Sequence, residues 1–340
     1  FEMTGTVLVT GGSGYIAGFI IRQLISEGWS VQTTIRNRSK EGDVRNLLAV
    51  DNSKLKFFEA DLGSDQGWAE AMAGCSHVAH VASPFPAALP KHEDELIVPA
   101  RDGALRVLRA AKAAGVKRFV MTSSAAAIAY GHPERIRTFT EADWTDATSP
   151  DAYPYIRSKT IAERAARDWV AAEGNGMEFC AINPTAVIGP VWGRDMSTSI
   201  ELVKKLLEGA MPGCPDIGFG IVDVRDVADL HVKALSAPDL AGERFIASGR
   251  FLKMIDVARV LKSGLGDRAK KVPVRGLPAF LVRFFALFDP AVKQVTGELG
   301  KTRNMDASHA LRTLGWKTRP EEESIIDCAN SLIDLGLVKV

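Results

Sequence analysis

Short apolar runs alternate with longer amphipathic stretches along the first half of the chain. Six of these runs are rich in Val, Phe and Thr, which is typical of buried strands, and they predict β-strands at 6–10, 30–36, 55–60, 77–82, 118–124 and 178–184. The stretches between them carry the helical period and predict helices at 15–27, 40–50, 65–73, 103–114 and 154–173. This alternation predicts a parallel sheet with helices on both faces, and right-handed crossovers make such a sheet doubly wound.

The alternation weakens after about residue 190. Helical patterns continue at 251–262, 276–296 and 321–335, and the segment GIVDVRDVADLHVKAL predicts a short strand followed by a helix with Asp226 as its N-cap. We therefore expect a sheet domain over residues 4–190, to which a later segment at about 221–250 returns. Residues 191–340 are expected to form a smaller, mostly helical lobe over the carboxyl ends of the strands, where ligands bind in such folds.

The composition is that of an ordinary globular protein and narrows the possible partners. The 340 residues are 46% hydrophobic and 24% charged, and the net charge of +1 gives no support for nucleic acid or an anionic membrane as a partner. The apolar stretch AFLVRFFALF is too short to span a bilayer and contains Arg283. The four cysteines are scattered without metal-ligand spacing, and no secretory signal is visible, so we expect a cytoplasmic protein with reduced thiols and no metal site.

The segment TGGSGYIAG follows the first predicted strand and opens the first predicted helix. Gly11 and Gly14 let the backbone turn sharply and approach a pyrophosphate closely, and the helix N-terminus offers free N–H groups to the anion. We expect the other residues of this turn to lie against the same phosphates: Ser13, Tyr15 and Ile16. The strand–turn–helix context therefore predicts a dinucleotide-binding site.

The second predicted strand ends in TTIRNRSK, which contains no acidic residue. An NAD site usually places a carboxylate there to bind the 2′-hydroxyl of the ribose. Arg36, Arg38 and Lys40 stand in this segment instead, and cationic side chains bind a 2′-phosphate through charge-assisted hydrogen bonds. The sequence therefore predicts NADP(H) as the cofactor rather than NAD(H).

The segment YIRSK places Tyr155 and Lys159 four residues apart, on one face of a predicted helix. A phenol has a pKa of about 10, and a neighbouring ammonium lowers that pKa by favouring the phenolate, which suits Tyr155 to proton donation at neutral pH. Lys159 can also donate a hydrogen bond to the nicotinamide ribose. Tyr153 is a competitor by position, but Arg157 rather than a lysine stands four residues after it.

The glycine turn, a strand ending in serines (RFVMTSS) and YxxxK occur in the order found in extended short-chain dehydrogenase/reductases, which this chain resembles over about residues 5–235. HVASPF, SKTIAE, INPTAVIGP and VDVRDVADLH are similar to segments of dihydroflavonol 4-reductases, cinnamoyl-CoA reductases and yeast-type aldehyde and methylglyoxal reductases. Ala17 stands where the family's turn has its third glycine. In this respect the chain resembles the microbial aldehyde reductases more than the plant enzymes, which generally keep the glycine. That position serves helix–strand packing and not phosphate contact, so alanine is tolerable there.

The resemblance implies a Rossmann-type fold, with residues 4–190 as the NADP-binding domain and 191–340 mainly as the substrate lobe. It also implies that Ser124 orients and polarises a substrate carbonyl beside Tyr155 and Lys159, while Ser123 faces the cofactor or supports the strand end. Further cofactor contacts are implied for Asp61, Leu62, Val81, Ala82, Ser83, Pro184, Val187 and Ser199. The implied reaction is reversible hydride transfer between NADPH and a ketone or aldehyde.

A sugar-nucleotide epimerase or dehydratase is the alternative, because such NAD(P)-dependent enzymes share the turn and the Ser/Tyr/Lys set. Dehydratases carry an acidic residue beside the catalytic serine or threonine, whereas Ser123 and Ala125 flank Ser124. The intact set also disfavours a non-catalytic NADP sensor. We expect an apolar or aromatic small-molecule substrate and a monomer or homodimer. The candidate pocket residues are Phe85, Trp192, Met211 and Phe219.

Overall fold

The computed structural model describes residues 5–84, 90–193 and 197–340. The strands within these ranges, in chain order, are β1 (Thr6–Val9), β2 (Ser30–Ile35), β3 (Leu55–Glu59), β4 (His77–His80), β5 (Arg118–Thr122), β6 (Ile136–Phe139), β7 (Glu178–Pro184), β8 (Ala186–Ile188), β9 (Cys214–Pro215), β10 (Gly218–Asp223), β11 (Arg244–Ala247), β12 (Phe251–Lys253), β13 (Gly276–Leu277) and β14 (Thr302–Met305). The helices are α1 (Tyr15–Ser26), α2 (Glu41–Leu48), α3 (Trp68–Met72), α4 (Asp94–Ala113), α5 (Pro154–Glu173), α6 (Thr198–Leu207), α7 (Val224–Ser236), α8 (Met254–Leu265), α9 (Ala279–Phe285), α10 (Pro290–Val295), α11 (Ser308–Leu314) and α12 (Glu321–Asp334).

The central sheet contains seven strands in the order β11-β7-β5-β4-β1-β2-β3. Every neighbouring pair is parallel. The chain first adds strands on one side of β1 and then crosses to the other side with β4, so the strand order reverses between β1 and β4. Ligands bind in open sheets of this kind in the crevice beyond the carboxyl ends of the strands at such a reversal. The doubly wound parallel sheet predicted from the sequence is thereby confirmed.

Successive side chains of β1 enter two different cores. Val7 and Val9 are buried on the face that carries α1 and α7, whereas Leu8 is buried on the opposite face with α3, α4 and α5. All three side chains are fully buried. A strand covered on both faces needs apolar side chains at successive positions, which is why β1 is a continuous apolar run instead of an alternating one.

The C-terminal region packs helices and short strands around a separate core. Helices α6, α8 and α12 contribute most of its buried apolar side chains. Strands β8, β10 and β12 form a three-stranded sheet in this region, and β9 pairs with β13. The lobe is therefore less purely helical than expected, because β9, β12 and β13 are only two or three residues long and too short to show a hydrophobic period.

Charged side chains of the segment VDVRDVA attach the last long helix to the sheet. Asp223 is fully buried and accepts the N–H of Arg225 at 2.8 Å. The Arg225 guanidinium bridges Asp223 and Asp327 of α12, at 2.7 Å to each carboxylate. Asp226 accepts hydrogen bonds from the backbone and the guanidinium of Arg319, in the segment before α12. These paired charges fix α12 to the start of α7.

Two local predictions are wrong, each for a physical reason. Asp223 rather than Asp226 is the N-cap of α7, because β10 runs directly into the helix and Asp226 lies in its first turn. Helix α4 begins at Asp94 instead of 103 and runs through Pro99. Proline removes one backbone hydrogen bond there, but the buried Leu96 extends the apolar face of the helix towards its N-terminus.

Helix α9 holds much of the apolar stretch AFLVRFFALF. It buries Val282 and leaves Phe280 and Phe284 more than half exposed, at 68% and 54%. With seven residues it is far shorter than the roughly 20 that a bilayer span requires. None of the described helices is both long and apolar enough to cross a membrane.

Two buried histidines lie beneath the carboxyl edge of the sheet. Burial lowers the pKa of His80, at the end of β4, to about 3, and the Lys159 ammonium acts in the same direction. Burial lowers the pKa of His231, on α7, to about 4. His231 donates through Nδ1 to the Val227 carbonyl at 2.8 Å and accepts the Thr122 hydroxyl at Nε2, at 2.6 Å. Both imidazoles are therefore neutral in the folded protein at neutral pH.

We expect acidification from about pH 7 to about pH 5 to destabilise the protein. In this window the unfolded chain binds protons at His80 and His231 while the folded chain does not, so each residue lowers the free energy of unfolding by up to ~1.4 kcal/mol per pH unit. Urea unfolding at several pH values measures this slope. His231→Gln should flatten it, whereas His92→Gln, at an exposed position, should not. An unchanged slope in the His231 variant would contradict the assignment.

Candidate active site

The turn after β1 has the geometry of an anion-binding site. Gly11 adopts a φ of +73°, a left-handed conformation that favours glycine. A Cβ at Gly12 would lie 2.3 Å from Thr33 Oγ1, so no larger residue fits there. Helix α1 follows Gly14 without a side-chain cap and without an acidic residue in its first turn. Four N–H groups consequently have no acceptor within the described ranges: those of Ser13, Tyr15, Ile16 and Ala17. Free N–H groups at a helix start fit the pyrophosphate of a dinucleotide.

Helix α1 lies so close to its neighbours that small residues are required on it. Ala17 is fully buried in the core beside β1, in agreement with a packing position. A Cβ at Gly18 would lie 2.9 Å from the indole of Trp192. Trp192 also contacts Phe19, with ring centroids 3.8 Å apart, and the guanidinium of Arg22. Trp192 therefore packs on α1, and this corrects the expectation that it lines a substrate pocket.

One hydroxyl joins the two strands that border the crevice. Thr10 accepts the N–H groups of Val81 and Ala82, each at 3.0 Å. Its single proton is then donated to Nδ1 of His80 at 3.0 Å, which leaves that imidazole with its proton on Nε2. A Cβ at Gly11 would lie 3.0 Å from the Cβ of Ala82. The turn after β1 and the end of β4 are thus held in close contact.

The basic loop after β2 presents two free cations. Arg36 and Lys40 are exposed, and their side chains have no hydrogen-bond or ion-pair partner in the described part of the chain. Arg38 lies between them but pairs with Glu41 at 3.4 Å. Arg36 and Lys40 are therefore the loop side chains available to a phosphate near the end of β2.

The residues after β3 lie beside this loop. Asp61 is exposed, and its carboxylate accepts the N–H of Gly63 at 2.6 Å. Leu62 is partly buried, and its side chain lies against Gly103 of α4, where a Cβ would be 3.0 Å away. The two residues accordingly form a short turn at the edge of the sheet next to the basic loop.

Helix α5 presents Tyr155 and Lys159 at the carboxyl edge of the sheet. Pro154 occupies the first helical position, where its missing N–H costs no helical bond, and Tyr155 follows with 37% of its surface exposed. Lys159 Nζ lies 5.9 Å from the centre of the Tyr155 ring and donates to Ser83 Oγ at 3.1 Å. Because Ser83 follows β4, Lys159 reaches from the helix to the crevice. The Tyr155 hydroxyl has no partner within the described ranges and is free to donate to a ligand.

The two serines after β5 have different surroundings. Ser124 precedes a 3₁₀ turn, and its hydroxyl oxygen accepts the N–H of Ala126 at 3.1 Å. The hydroxyl proton of Ser124 remains available to an acceptor on a ligand. Ser123 is buried and donates to Glu163 of α5 at 2.5 Å. Of the two roles expected for Ser123, this hydrogen bond favours support of the strand end over a cofactor contact.

Tyr153, the competitor of Tyr155, is turned into the protein. Its ring packs edge-on against Tyr130, with centroids 6.4 Å apart. Burial raises the pKa of Tyr153 to about 12, and the neighbouring Tyr155 adds to this effect. A phenol of that kind is a poor acid–base group at neutral pH. Of these three tyrosines, Tyr155 is the exposed one.

An apolar cavity of about 720 Å³ opens beside the end of β7. It begins at β8, next to the buried Pro184 and Val187, and extends into the C-terminal lobe. Its walls include Ala186, Ser199, Met211, Phe219, Val282 and Phe285. Met211 and Phe219, two of the candidate pocket residues, line this cavity, and Ser199 faces the same space. Phe85, the remaining candidate, lies outside the described residues.

Sequence reasoning missed three polar residues that hold the site together: Thr10, Glu163 and Asn183. Each is buried, and Thr10 and Asn183 are polar residues inside or at the end of an apolar stretch. Glu163 lies one helical turn after Lys159 among charged residues, so the sequence gives no sign of its burial. Among the described residues, no group of three or more His, Cys, Asp or Glu side chains is placed to hold a metal ion.

Comparisons with known proteins find several reductases that are similar to this chain. The chain is 36% identical over 268 residues to a cinnamoyl-CoA reductase of Medicago truncatula, which covers 77% of this chain and 81% of that protein. It is 31% identical over 270 residues to a dihydroflavonol 4-reductase of Gerbera hybrida, covering 77% and 73%. The fold superimposes on the crystal structure of yeast methylglyoxal/isovaleraldehyde reductase Gre2 complexed with NADPH, with a TM-score of 0.81 and 27% identity over 98% of this chain and 100% of that one.

The profile of the family described as "NAD dependent epimerase/dehydratase family" matches residues 7–247. The match begins in β1 and ends in β11, so it includes every strand of the central sheet together with the glycine turn, Ser124, Tyr155 and Lys159. The chain belongs to the NAD dependent epimerase/dehydratase family, that is, to the extended short-chain dehydrogenase/reductases.

Proposed function

We propose that this protein is an NADPH-dependent carbonyl reductase that transfers a hydride to a ketone or aldehyde and releases the alcohol. The main support for this proposal is that three polar side chains, those of Ser124, Tyr155 and Lys159, lie at one edge of the sheet and can bind a ligand. Helix α5 brings Tyr155 and Lys159 there, and the end of β5 brings Ser124. The reductase names of the relatives support the same reaction class.

The chemistry follows from the donors that face the crevice. A substrate carbonyl oxygen can accept hydrogen bonds from Ser124 Oγ and Tyr155 Oη, which polarise the carbonyl and fix its orientation. Bound NADPH supplies the hydride to the carbonyl carbon. Tyr155 transfers its phenolic proton to the oxygen, on which negative charge develops, and solvent later restores that proton. The ammonium of Lys159 stabilises the phenolate left on Tyr155 by charge attraction.

The cofactor would be held along the crevice by backbone and side-chain groups together. The helix start at residues 13–16 suits the pyrophosphate, and Lys159 can donate to the nicotinamide ribose. Arg36 and Lys40 are the free cations for a 2′-phosphate. The remaining proposed contacts are Gly11, Gly14, Asp61, Leu62, Val81, Ala82, Ser83, Pro184, Val187 and Ser199. This arrangement favours NADPH over NADH, because no carboxylate stands at the end of β2.

The cavity favours an apolar or aromatic substrate body. Its walls are mostly aliphatic and aromatic side chains, and Lys205 is the one cation among the described lining residues. A diphosphate or a coenzyme A moiety needs several cations or free N–H groups. The cavity therefore fits a carbonyl compound with an uncharged, apolar remainder, whose reacting group lies towards Ala186 and the end of β7.

The sugar-nucleotide epimerase or dehydratase remains the second candidate, because the family contains both activities by name. Two features of the chain disfavour it. Ser123 and Ala125, the neighbours of Ser124, supply no acidic side chain for elimination. Among its described lining residues, the apolar cavity also lacks the cation cluster that a nucleoside diphosphate would require.

The exposed surfaces of helices α4 and α5 favour a monomer over a dimer formed through these two helices. Among the exposed large apolar residues of the described chain, α4 contributes Val98 and α5 contributes Tyr155. Paired helices in a stable dimer bury a more apolar face than this.

A substrate screen tests the reaction class. Purified protein with NADPH is incubated separately with aryl ketones, α-dicarbonyls, β-keto esters, aldehydes and dihydroflavonols, and loss of NADPH fluorescence is followed. We expect net NADPH oxidation with at least one apolar carbonyl compound and an alcohol product. Interconversion of UDP- or dTDP-sugars without net NADPH oxidation, together with no reaction in the carbonyl set, would support the epimerase instead.

Replacing Tyr155 by phenylalanine removes the proposed proton donor and keeps the ring. We expect kcat to fall by about 10³-fold, since general acid catalysis contributes on this order. NADPH affinity, measured by fluorescence titration, should stay near the wild-type value. Tyr153→Phe is the matched control and should retain activity, because the Tyr153 side chain is turned away from the crevice. An active Tyr155 variant would overturn the assigned role.

Replacing Arg36 by alanine tests cofactor choice. We expect the KM for NADPH to rise by about tenfold or more, because a charge-assisted hydrogen bond contributes roughly 1.5–3 kcal/mol. The KM for NADH should hardly change, since NADH has no 2′-phosphate. Arg38→Ala serves as the control, because Arg38 is already paired with Glu41. Equal KM changes for both cofactors in the Arg36 variant would exclude a 2′-phosphate contact.

A further inference from the structure

A buried carboxylate lies behind the two catalytic elements. Glu163 of α5 is fully buried, and its Oε2 accepts the Ser123 hydroxyl at 2.5 Å and the Asn183 side-chain amide at 2.8 Å. Its Oε1 accepts Arg244 Nε at 2.7 Å. Asn183 Nδ2 also donates to the backbone carbonyl of Ser124 at 3.1 Å. We call Glu163, Ser123, Asn183 and Arg244 the Glu163 cluster.

The Glu163 cluster joins three strands to the helix that carries Tyr155. Ser123 follows β5, Asn183 lies in β7, and Arg244 begins β11. Glu163 stands eight residues after Tyr155, which is about 12 Å along a helix axis at ~1.5 Å per residue. Since α5 is continuous over Pro154–Glu173, its position at Glu163 sets its position at the site.

The orientation of Asn183 is fixed by its partners. Its Nδ2 faces two acceptors, the Glu163 carboxylate and the Ser124 carbonyl, so a flipped amide would place oxygen against oxygen. Its Oδ1 is buried and has no hydrogen-bond partner in the described part of the chain. A buried acceptor without a partner costs about 1–3 kcal/mol. Asn183 therefore holds the Ser124 carbonyl at a cost in stability.

The buried ion pair is also a weak source of stability. Arg244 and Glu163 are 5% and 0% exposed, and taking both charges out of water offsets most of their mutual attraction. Replacement of such a pair by apolar side chains of similar volume is often neutral for stability, whereas loss of one partner is costly. Because the Glu163 cluster adds little stability, its main effect is on geometry. The cluster fixes the end of β5 beside Ser124 relative to α5.

We propose that Glu163 is a positioning residue for the reduction: through Ser123 and Asn183 it holds the backbone of Ser124 in register with Tyr155 and Lys159. This inference rests on the proposed function, because it needs Ser124 and Tyr155 to meet the same carbonyl oxygen. In this role Glu163 touches neither substrate nor cofactor. It acts by keeping two hydrogen-bond donors at a constant separation.

The test compares two double variants that both remove the buried charges. Glu163→Leu with Arg244→Met removes the acceptor for Ser123 and Asn183, whereas Glu163→Gln with Arg244→Met keeps one acceptor oxygen. We expect the Leu/Met variant to fold and to bind NADPH with wild-type affinity, while its kcat falls by about 10²-fold, the effect of displacing a catalytic group by about 1 Å. The Gln/Met variant should recover most of that loss.

A matched control uses an ion pair at the opposite end of the same two strands. Arg118 opens β5 and pairs with Glu178, which opens β7. Arg118→Met with Glu178→Leu removes this pair far from the carboxyl edge and should leave kcat unchanged. Thermal unfolding of all three double variants separates changes in stability from changes in rate.

Wild-type kcat in the folded Leu/Met variant would overturn the positioning role, as would equal kcat values in the Leu/Met and Gln/Met variants. If the Leu/Met variant does not fold, Ser123→Ala decides the question. It removes one hydrogen bond without burying an unpaired charge, and it should lower kcat at constant KM for NADPH. An unchanged kcat in Ser123→Ala would then exclude the proposal. Failure of the proposed function can be told apart from failure of the positioning role, because in that case the Tyr155→Phe variant would retain activity.

Discussion

The attachment of helix α5 to the end of strand β5 is the contact on which the site depends. Ile156 is fully buried against Ala126 and Ala152, so the turn that follows Ser124 packs directly on the first turn of the helix. Burial of one such side chain contributes about 1.5–3 kcal/mol, and it acts beside the hydrogen bond from Ser123 to Glu163. Because α5 is fixed both at Ile156 and at Glu163, it holds the Tyr155 phenol and the Lys159 ammonium with little motion.

The other half of the crevice depends on close backbone approach. Thr10 binds the end of β4 with its hydroxyl, and Gly11 lies against Ala82, so the helix start and the strand end form one continuous edge. Lys159 links this edge to α5 through Ser83. The apolar cavity adjoins β8 on the far side. In the proposed function, the reacting group would lie along the polar edge made by the sheet, and the apolar cavity would receive the rest of the substrate.

The sequence predicted the central sheet well, because strands buried on both faces are continuous apolar runs that stand out between amphipathic helices. Local pattern could not decide features that depend on distant partners. Asp223 and Asp226 are equivalent candidates for a cap until the strand end is known. Trp192 is as plausible in a pocket as on α1, and its actual partner, Gly18, lies far away in the chain. Glu163 resembles an exposed helix residue in the sequence, and only the fold places Arg244 beside it.

In the proposed reaction, a hydride passes from the nicotinamide to a carbonyl carbon whose oxygen is bound by Ser124 and Tyr155. Isotope transfer tests this step: the protein is supplied with a responsive carbonyl compound and NADPH carrying deuterium at one or the other C4 position, and the product is analysed by mass spectrometry and NMR. Deuterium is expected on the carbinol carbon of the alcohol from one of the two labelled cofactors, with the hydroxyl proton coming from solvent. Product formed without label from either cofactor would contradict it.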